Sequence, residues 1–324
     1  MRRVLVTGAT GLVGSHAVAR LLEEGYEVYG LVRRSSDAAI LERLGARPRY
    51  GDLRVPSSLL EATQGMDAVV HAAAKVGDWG SRKEFYALNV QATEALLQGA
   101  LENGVGKFVH VSSVSVYGRT EHKLIAEDEP LKPVRNPYID TKIAAESRVR
   151  EYQAKGLVTS IVRPCLIYGE RDRHFLPLIC KQIKAGRMVI IGSGEHLANL
   201  VYAENVVDLL LLLLQGDRGD GEAFNCVDRD LLTWNEALKK IAGLMGLTPS
   251  RRHLPEVLAY DLGLLLEVWG RLTRRENPPL LTRFTAKLLG GHCAYDTSKA
   301  ERLLGYRPRF STAEGLERSV RRAL

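Results

Sequence analysis

Cysteine is scarce in this chain of 324 residues. The four present, Cys165, Cys180, Cys226 and Cys293, form no C-x-x-C pair, which removes the usual zinc and dithiol layouts. No metal site is expected, and reduced thiols in a cytoplasmic protein are. Long apolar runs are also missing. The most apolar stretch, Val206 to Leu214, contains Asp208 and is far shorter than the ~20 residues of a bilayer span. It reads as a buried helix, and no integral membrane segment is expected. The N-terminal residues lack a signal-peptide layout. There are no internal repeats and no low-complexity tracts. What is present is core material: hydrophobic residues make up 45% of the chain, which sets disorder aside. Lys and Arg number 45 against 38 acidic residues, a net charge of +7 that suits an anionic ligand. The basic residues are dispersed apart from pairs such as Arg251-Arg252 and Arg274-Arg275. Those pairs read as solvated surface, and no nucleic-acid partner is expected.

The first half alternates short apolar runs with helical stretches. Val4–Val6, Val28–Val32, a run ending at Asp52, Ala68–His71, Lys107–Ser112 and Thr159–Arg163 read as strands. Gly14–Glu24, Asn89–Glu102 and Tyr138–Ala154 read as helices. Continuous apolar strands in β-α alternation point to a doubly wound, Rossmann-type α/β fold with a parallel sheet. After Pro164 helices dominate, with one more strand near Phe224–Cys226. A dinucleotide-binding domain of residues 1–167 plus about 198–227 is expected. A smaller, mostly helical substrate lobe would take about 168–197 plus 228–324. The apolar block Leu254–Trp269 could line an acyl or sterol pocket, or be an amphipathic core helix.

The segment Thr7-Gly8-Ala9-Thr10-Gly11-Leu12-Val13-Gly14 joins the first strand to the first helix. Glycine at three-residue spacing permits a tight turn and lets backbone approach a pyrophosphate at a helix N-terminus. The second strand ends Val32-Arg33-Arg34, with guanidiniums where a 2′-phosphate would sit, so NADP is expected and NAD remains possible. Asp52, followed by Leu53, could meet an adenine amino group or cap the helix after Pro56. His71-Ala72-Ala73-Ala74 ends the fourth strand. The small side chains there let backbone press on the cofactor, and His71 reads as a packed core residue.

Tyr138 and Lys142 stand four residues apart at the start of a helix, so they share a face. A neighbouring ammonium favours a phenolate, which would make Tyr138 an acid/base group. The serines of Ser112-Ser113-Val114-Ser115 leave the fifth strand, and one of them can donate to a carbonyl oxygen.

With these motifs in this order, the chain resembles the extended short-chain dehydrogenase/reductase (NAD-dependent epimerase/dehydratase) family over nearly its whole length. The resemblance also rests on Asp52-Leu53, Asn89-Val90 and Arg163-Pro164-Cys165-Leu166-Ile167-Tyr168-Gly169. It implies hydride transfer at nicotinamide C4. Ser113, 25 residues before Tyr138, would polarise the carbonyl, and Tyr138 would exchange the proton. Asn89 would orient the surroundings of Lys142, and Lys142 would hold the nicotinamide ribose. Lys75, Pro164, Cys165 and Ile167 would lie along the cofactor. The resemblance also implies a small-molecule substrate and a homodimer built on the Asn89 and Tyr138 helices. Lys75-Val76-Gly77-Asp78-Trp79-Gly80 and the segment from Tyr295 to Pro308 are similar to the 3β-hydroxysteroid dehydrogenase-like and 2-alkyl-3-oxoalkanoate reductase branch. Dihydroflavonol-reductase-like members share the arginine after the second strand. The expected activity is interconversion of a hydroxyl and a ketone on a hydrophobic, sterol-like or β-keto acyl substrate. Sugar-nucleotide epimerisation is the alternative, and a non-catalytic dinucleotide sensor a third. Dehydratases carry acidic residues beside the serine, where this chain has Val114.

Overall fold

The computed structural model describes residues 2–34, 38–118, 123–275, 277–291 and 293–323. Seven strands form its main sheet: β1 (Arg3–Thr7), β2 (Glu27–Val32), β3 (Arg47–Tyr50), β4 (Ala68–His71), β5 (Lys107–Val111), β6 (Thr159–Pro164) and β7 (Ala223–Cys226). All neighbours are parallel, in the order β7-β6-β5-β4-β1-β2-β3. The order reverses between β1 and β4, which opens a crevice beyond the carboxyl ends of these two strands. Their side chains are apolar on both faces because both faces are covered.

The helices are α1 (Leu12–Glu23), α2 (Ala39–Leu44), α3 (Pro56–Ala62), α4 (Arg82–Tyr86), α5 (Ala92–Glu102), α6 (Pro137–Ala154), α7 (Phe175–Lys184), α8 (Ala203–Gln215), α9 (Trp234–Leu244), α10 (Glu256–Leu272), α11 (Arg283–Gly290), α12 (Ser298–Leu304) and α13 (Thr312–Ala323). On one sheet face α1 and α8 bury Val18, Leu21, Leu209, Leu210 and Leu213 against Val4, Val6 and Val70. The expected buried helix over Val206–Leu214 is thus α8. On the other face α3, α5 and α6 bury Leu59, Leu96, Leu97 and Val149 against Leu5, Val69 and Phe108. A separate core joins α7, α9 and α13 through Ile179, Trp234, Leu238, Leu316 and Val320. Three parallel two-stranded pairs stitch distant segments together: Leu200–Tyr202 with Leu166–Tyr168, His253–Leu254 with Ile190–Ile191, and Cys293–Tyr295 with Lys123–Ile125.

Two features depart from the sequence reading. The helix expected over 89–102 starts earlier, as α4, and contains a π-helical stretch at Ala87–Gln91. Such wide turns recur at functional sites because they re-aim a side chain; here Asn89 is turned into the interior. The block Leu254–Trp269 is not a core helix, though its Tyr260 joins Lys287 and the segment Leu131–Val134 around an open cavity. The packed face of α10 consists of Ala259, Gly263, Glu267 and Gly270, and most of its large apolar side chains are exposed.

Candidate functional site

The crevice is built from turns at the carboxyl ends of the strands. Gly8 leaves β1 with φ +67°, and a Cβ there would stand 2.9 Å from the Ala73 amide nitrogen. A Cβ on Gly14 would stand 2.1 Å from the Gly8 carbonyl oxygen, so the turn closes only over glycine. The Gly11 N–H donates to the Gly8 carbonyl at 2.8 Å. Thr10 and Leu12 are half-buried along the turn, and Val13 is buried. The N-terminus of α1 has no side-chain cap and no acidic residue in its first turn. Amide donors at the positive end of a helix, in a cradle that excludes a Cβ, fit a dinucleotide pyrophosphate. Ala72 and Ala73 lie opposite, and the Ala73 N–H donates to Thr7 Oγ1 at 3.1 Å.

Arg33 and Arg34 project from the end of β2 into solvent, with the Arg34 guanidinium 5.3 Å from the Tyr50 ring centroid. Asp52 accepts from the Arg54 N–H at 2.9 Å, while its own N–H donates to Ser58 Oγ at 3.0 Å. It therefore forms a local turn and does not cap α3. That helix starts after Val55 with Pro56 in its first turn, which removes one of the two readings of Asp52. Leu53 packs half-buried beside the Leu5–Leu59 core.

His71 is a strut, as its sequence context suggested. Its Nδ1 pairs with Thr7 Oγ1 at 2.7 Å and its Nε2 with Thr93 Oγ1 at 2.8 Å. Burial pushes its pKa down to about 3, and Lys142 adds to this, so it is neutral. The Lys75 ammonium lies 3.2 Å from Glu84 and 5.2 Å from the Phe85 ring centroid. Its backbone is clamped by Asn89, whose Oδ1 accepts from the Lys75 N–H at 2.7 Å and whose Nδ2 donates to the Lys75 carbonyl at 3.1 Å. The same Nδ2 donates to Thr141 Oγ1 at 3.1 Å, beside Lys142. Asn89 thus ties the loop after β4 to α6.

Ser113 ends the fifth-strand turn, and its Oγ accepts from the Ser115 N–H at 3.2 Å. Tyr138 starts α6, where Asn136 caps the Tyr138 and Ile139 N–H groups at 2.9 and 3.1 Å. The phenol is buried among Phe85, Ile139 and Phe284, with the Phe284 ring edge-on at 6.4 Å. Burial raises its pKa, and a hydrogen bond with Ser113 pulls it back. The expected lowering by Lys142 is absent. Lys142 Nζ instead donates to the Val111 carbonyl at 2.8 Å. Lys142 itself is held at about 8 by burial, opposed by Glu146. Pro164 ends β6, and the Cys165 N–H donates to the Cys226 carbonyl at 2.9 Å. Burial drives the Cys165 thiol well above its ordinary range, so it is inert. Ile167 is half-buried.

Sequence reasoning missed the support beneath this set. Glu146 lies one turn beyond Lys142 and makes a fully buried pair with Arg163, at 3.0 Å from Nε and 2.7 Å from Nη2. Its signal was present in the spacing Tyr138, Lys142, Glu146, a single helical face with a carboxylate in an otherwise buried row. Phe284 comes from α11, with no local signal.

This geometry sits in a chain whose residues 4–226 match the model of the NAD dependent epimerase/dehydratase family. The chain belongs to that family. It is 31% identical to a 2-alkyl-3-oxoalkanoate reductase of Stenotrophomonas maltophilia, covering 98% of both chains. It is 29% identical to the decarboxylating sterol-4-alpha-carboxylate 3-dehydrogenase of Mus musculus, covering 98% of this chain and 90% of that one. Among solved structures, the dTDP-glucose 4,6-dehydratase DesIV of Streptomyces venezuelae, solved with NAD bound, superposes with a TM-score of 0.79 at 30% identity, covering 98% of this chain and 96% of that one. The chain is an NAD(P)-dependent oxidoreductase of the extended short-chain type. Among the described residues, no helix is long and apolar enough to cross a membrane.

Proposed function

We propose that this enzyme interconverts a hydroxyl and a ketone on a hydrophobic substrate, sterol-like or β-keto acyl, with NADP(H) as its redox partner. The observation that carries the reading is the setting of Tyr138: a proton-holding phenol, hydrogen-bonded to Ser113 and walled by Phe85, Ile139 and Phe284. An apolar wall beside a single polar pair suits a lone carbonyl on an apolar body better than a hydroxyl-rich sugar. The names of the reductase and dehydrogenase relatives agree with this.

In the reductive direction Ser113 donates to the substrate carbonyl oxygen and stabilises its developing charge. Tyr138 delivers the proton to that oxygen, and its raised pKa keeps it protonated until the transfer. Nicotinamide, when bound, supplies the hydride to the carbonyl carbon or takes it back in oxidation. Lys142, near its own titration point at neutral pH, keeps a positive charge close to Tyr138 with the help of Glu146. Asn89 holds the Lys75 backbone and Thr141 in place around it. Gly8, Thr10, Gly11, Leu12, Val13 and Gly14 would hold the pyrophosphate, and Arg33 and Arg34 the 2′-phosphate. Val114, where dehydratases carry a carboxylate, is buried in the core, which argues against elimination.

Steady-state turnover of a panel of 2-alkyl-3-oxo acids and ketosteroids tests the reading, with NADPH and NADH in parallel. NADPH-dependent reduction of at least one apolar member is expected. A protein that reduces none of them, keeps its dinucleotide through purification and interconverts sugar nucleotides would overturn it.

A further inference from the structure

The α10–α11 hairpin is well built on one side and bare on the other. On the packed side, a Cβ on Gly263 would stand 2.8 Å from the Arg283 backbone nitrogen, so the two helices touch backbone to backbone. Glu267 is buried there and accepts from the Arg283 N–H at 2.7 Å and from its Nη2 at 2.8 Å. Trp79 Nε1 donates to the Arg275 carbonyl at 3.0 Å, and Phe284 reaches Tyr138, so the hairpin roofs the catalytic crevice. On the outer side stand Val257, Leu258, Leu262, Leu264, Leu265, Val268, Trp269 and Leu272, all exposed, with Val257, Leu265 and Leu272 at 71%, 67% and 78%. At 3.6 residues per turn these eight occupy an arc of about 160°. Asp261 is the one charged residue within that arc. Monomeric proteins rarely leave so continuous an apolar face to water.

Charge decides what covers this face. Both ends of α10 carry a net positive charge: exposed Arg251 and Arg252 precede it against Glu256 in its first turn, exposed Arg271 stands in its last turn, and exposed Arg274 and Arg275 follow it. The Arg275 guanidinium stands 4.2 Å from the centroid of Trp269, at the rim of the apolar arc. A second copy docking through the same face about a twofold axis would run its helix antiparallel and bring basic ends together. An anionic surface with an apolar layer just beneath meets both features at once. The helix carries too many charges to span a bilayer and the right pattern to lie on one.

We propose that the outer face of α10 docks this enzyme on the surface of an anionic lipid bilayer. The leucines and Trp269 enter the headgroup–acyl boundary, while Arg251, Arg252, Arg271, Arg274 and Arg275 engage lipid phosphates. The roof of the catalytic crevice then rests on the phase in which an apolar substrate is dissolved. The inference goes beyond the proposed activity and is tested without substrate or dinucleotide, so either can fail while the other stands.

Flotation of the full chain with vesicles is the test, comparing phosphatidylglycerol–phosphatidylcholine mixtures with phosphatidylcholine alone. The full chain should float with the anionic vesicles, about tenfold less with neutral ones, and less again in 1 M salt (a Debye length of about 3 Å). The double variant L262E/L265E should lose flotation by about tenfold or more with an unchanged unfolding midpoint, since both side chains are already exposed. R274E/R275E should weaken binding to anionic vesicles only. Failure of the full chain to float, or equal flotation of L262E/L265E, overturns the proposal. So does a concentration-dependent dimer in analytical ultracentrifugation that L262E/L265E abolishes while vesicle binding is absent.

Discussion

Arg163→Met should cost about 3–5 kcal/mol of folding stability, the usual range for removing one partner of a buried ion pair. Arg163 and Glu146 are 1% and 0% exposed. Two parallel hydrogen bonds join them, and Arg163 Nη1 donates further to Tyr117 Oη at 2.8 Å and to the Glu127 carbonyl at 3.0 Å. Removing the cation leaves a carboxylate with no water and no matched donor. The unpaired Glu146 would take up a proton more readily folded than unfolded. The deficit of the variant should therefore shrink as pH falls from 8 toward 5. Urea unfolding followed by circular dichroism at several pH values reads both effects. The double variant R163M/E146L should cost less than either single change, because two apolar side chains then replace a desolvated pair. A deficit under about 1 kcal/mol for R163M, or a double variant that costs the sum of the singles, would refute the argument that desolvation governs this pair.

Four further outcomes follow from the site. Burial holds Lys142 at about 8 against an ordinary 10.5. Between those pH values the unfolded chain binds more protons, so stability rises with pH there, and K142M should lose that rise in urea midpoints taken from pH 7.5 to 10. Tyr138→Phe should lower kcat by about 10²–10⁴-fold while dinucleotide binding by fluorescence is kept. Gly14→Ala places a Cβ at 2.1 Å from the Gly8 carbonyl oxygen, and calorimetry should show dinucleotide affinity weakened with the sheet intact by circular dichroism. Arg34→Ala should weaken NADPH binding by about 10–100-fold, the worth of a hydrogen bond to a charged group, and leave NADH unchanged.

The parts legible in the sequence are those set by local rules. Strands buried on both faces read as apolar runs, and Val4–Val6 and Ala68–His71 needed nothing more. The glycine turn was legible because Gly14 must lack a Cβ for a reason that acts within seven residues, its close approach to the Gly8 carbonyl, and because Gly8 takes a positive φ. The parts that escaped depend on distant partners. The proton affinity of Tyr138 is set by burial, to which the distant Phe284 contributes a wall, and by the Ser113 hydrogen bond, not by the lysine one turn away. Asp52 met Arg54 and Ser58 before it could reach a helix end. The block Leu254–Trp269 carries large apolar residues around most of its circumference, and apolarity alone does not say which side is packed. The spacing of Ala259, Gly263 and Gly270 did, since small residues mark where backbones approach.

The edge strand β7 has a consequence for synthesis. β6 is complete by Pro164, yet its outer hydrogen-bonding edge is covered only by Ala223–Cys226. At about 5–20 residues per second, roughly 60 residues take 3–12 s to leave the ribosome. Through that interval the nascent chain carries an open parallel edge beside a half-formed network. Asn225, which ties Glu127, Ile125, Asp296 and Tyr117 together, has not yet been made or has no partner at Asp296. The catalytic residues are therefore translated long before the architecture that holds them is available. The first half of the chain must wait, shielded, for the second.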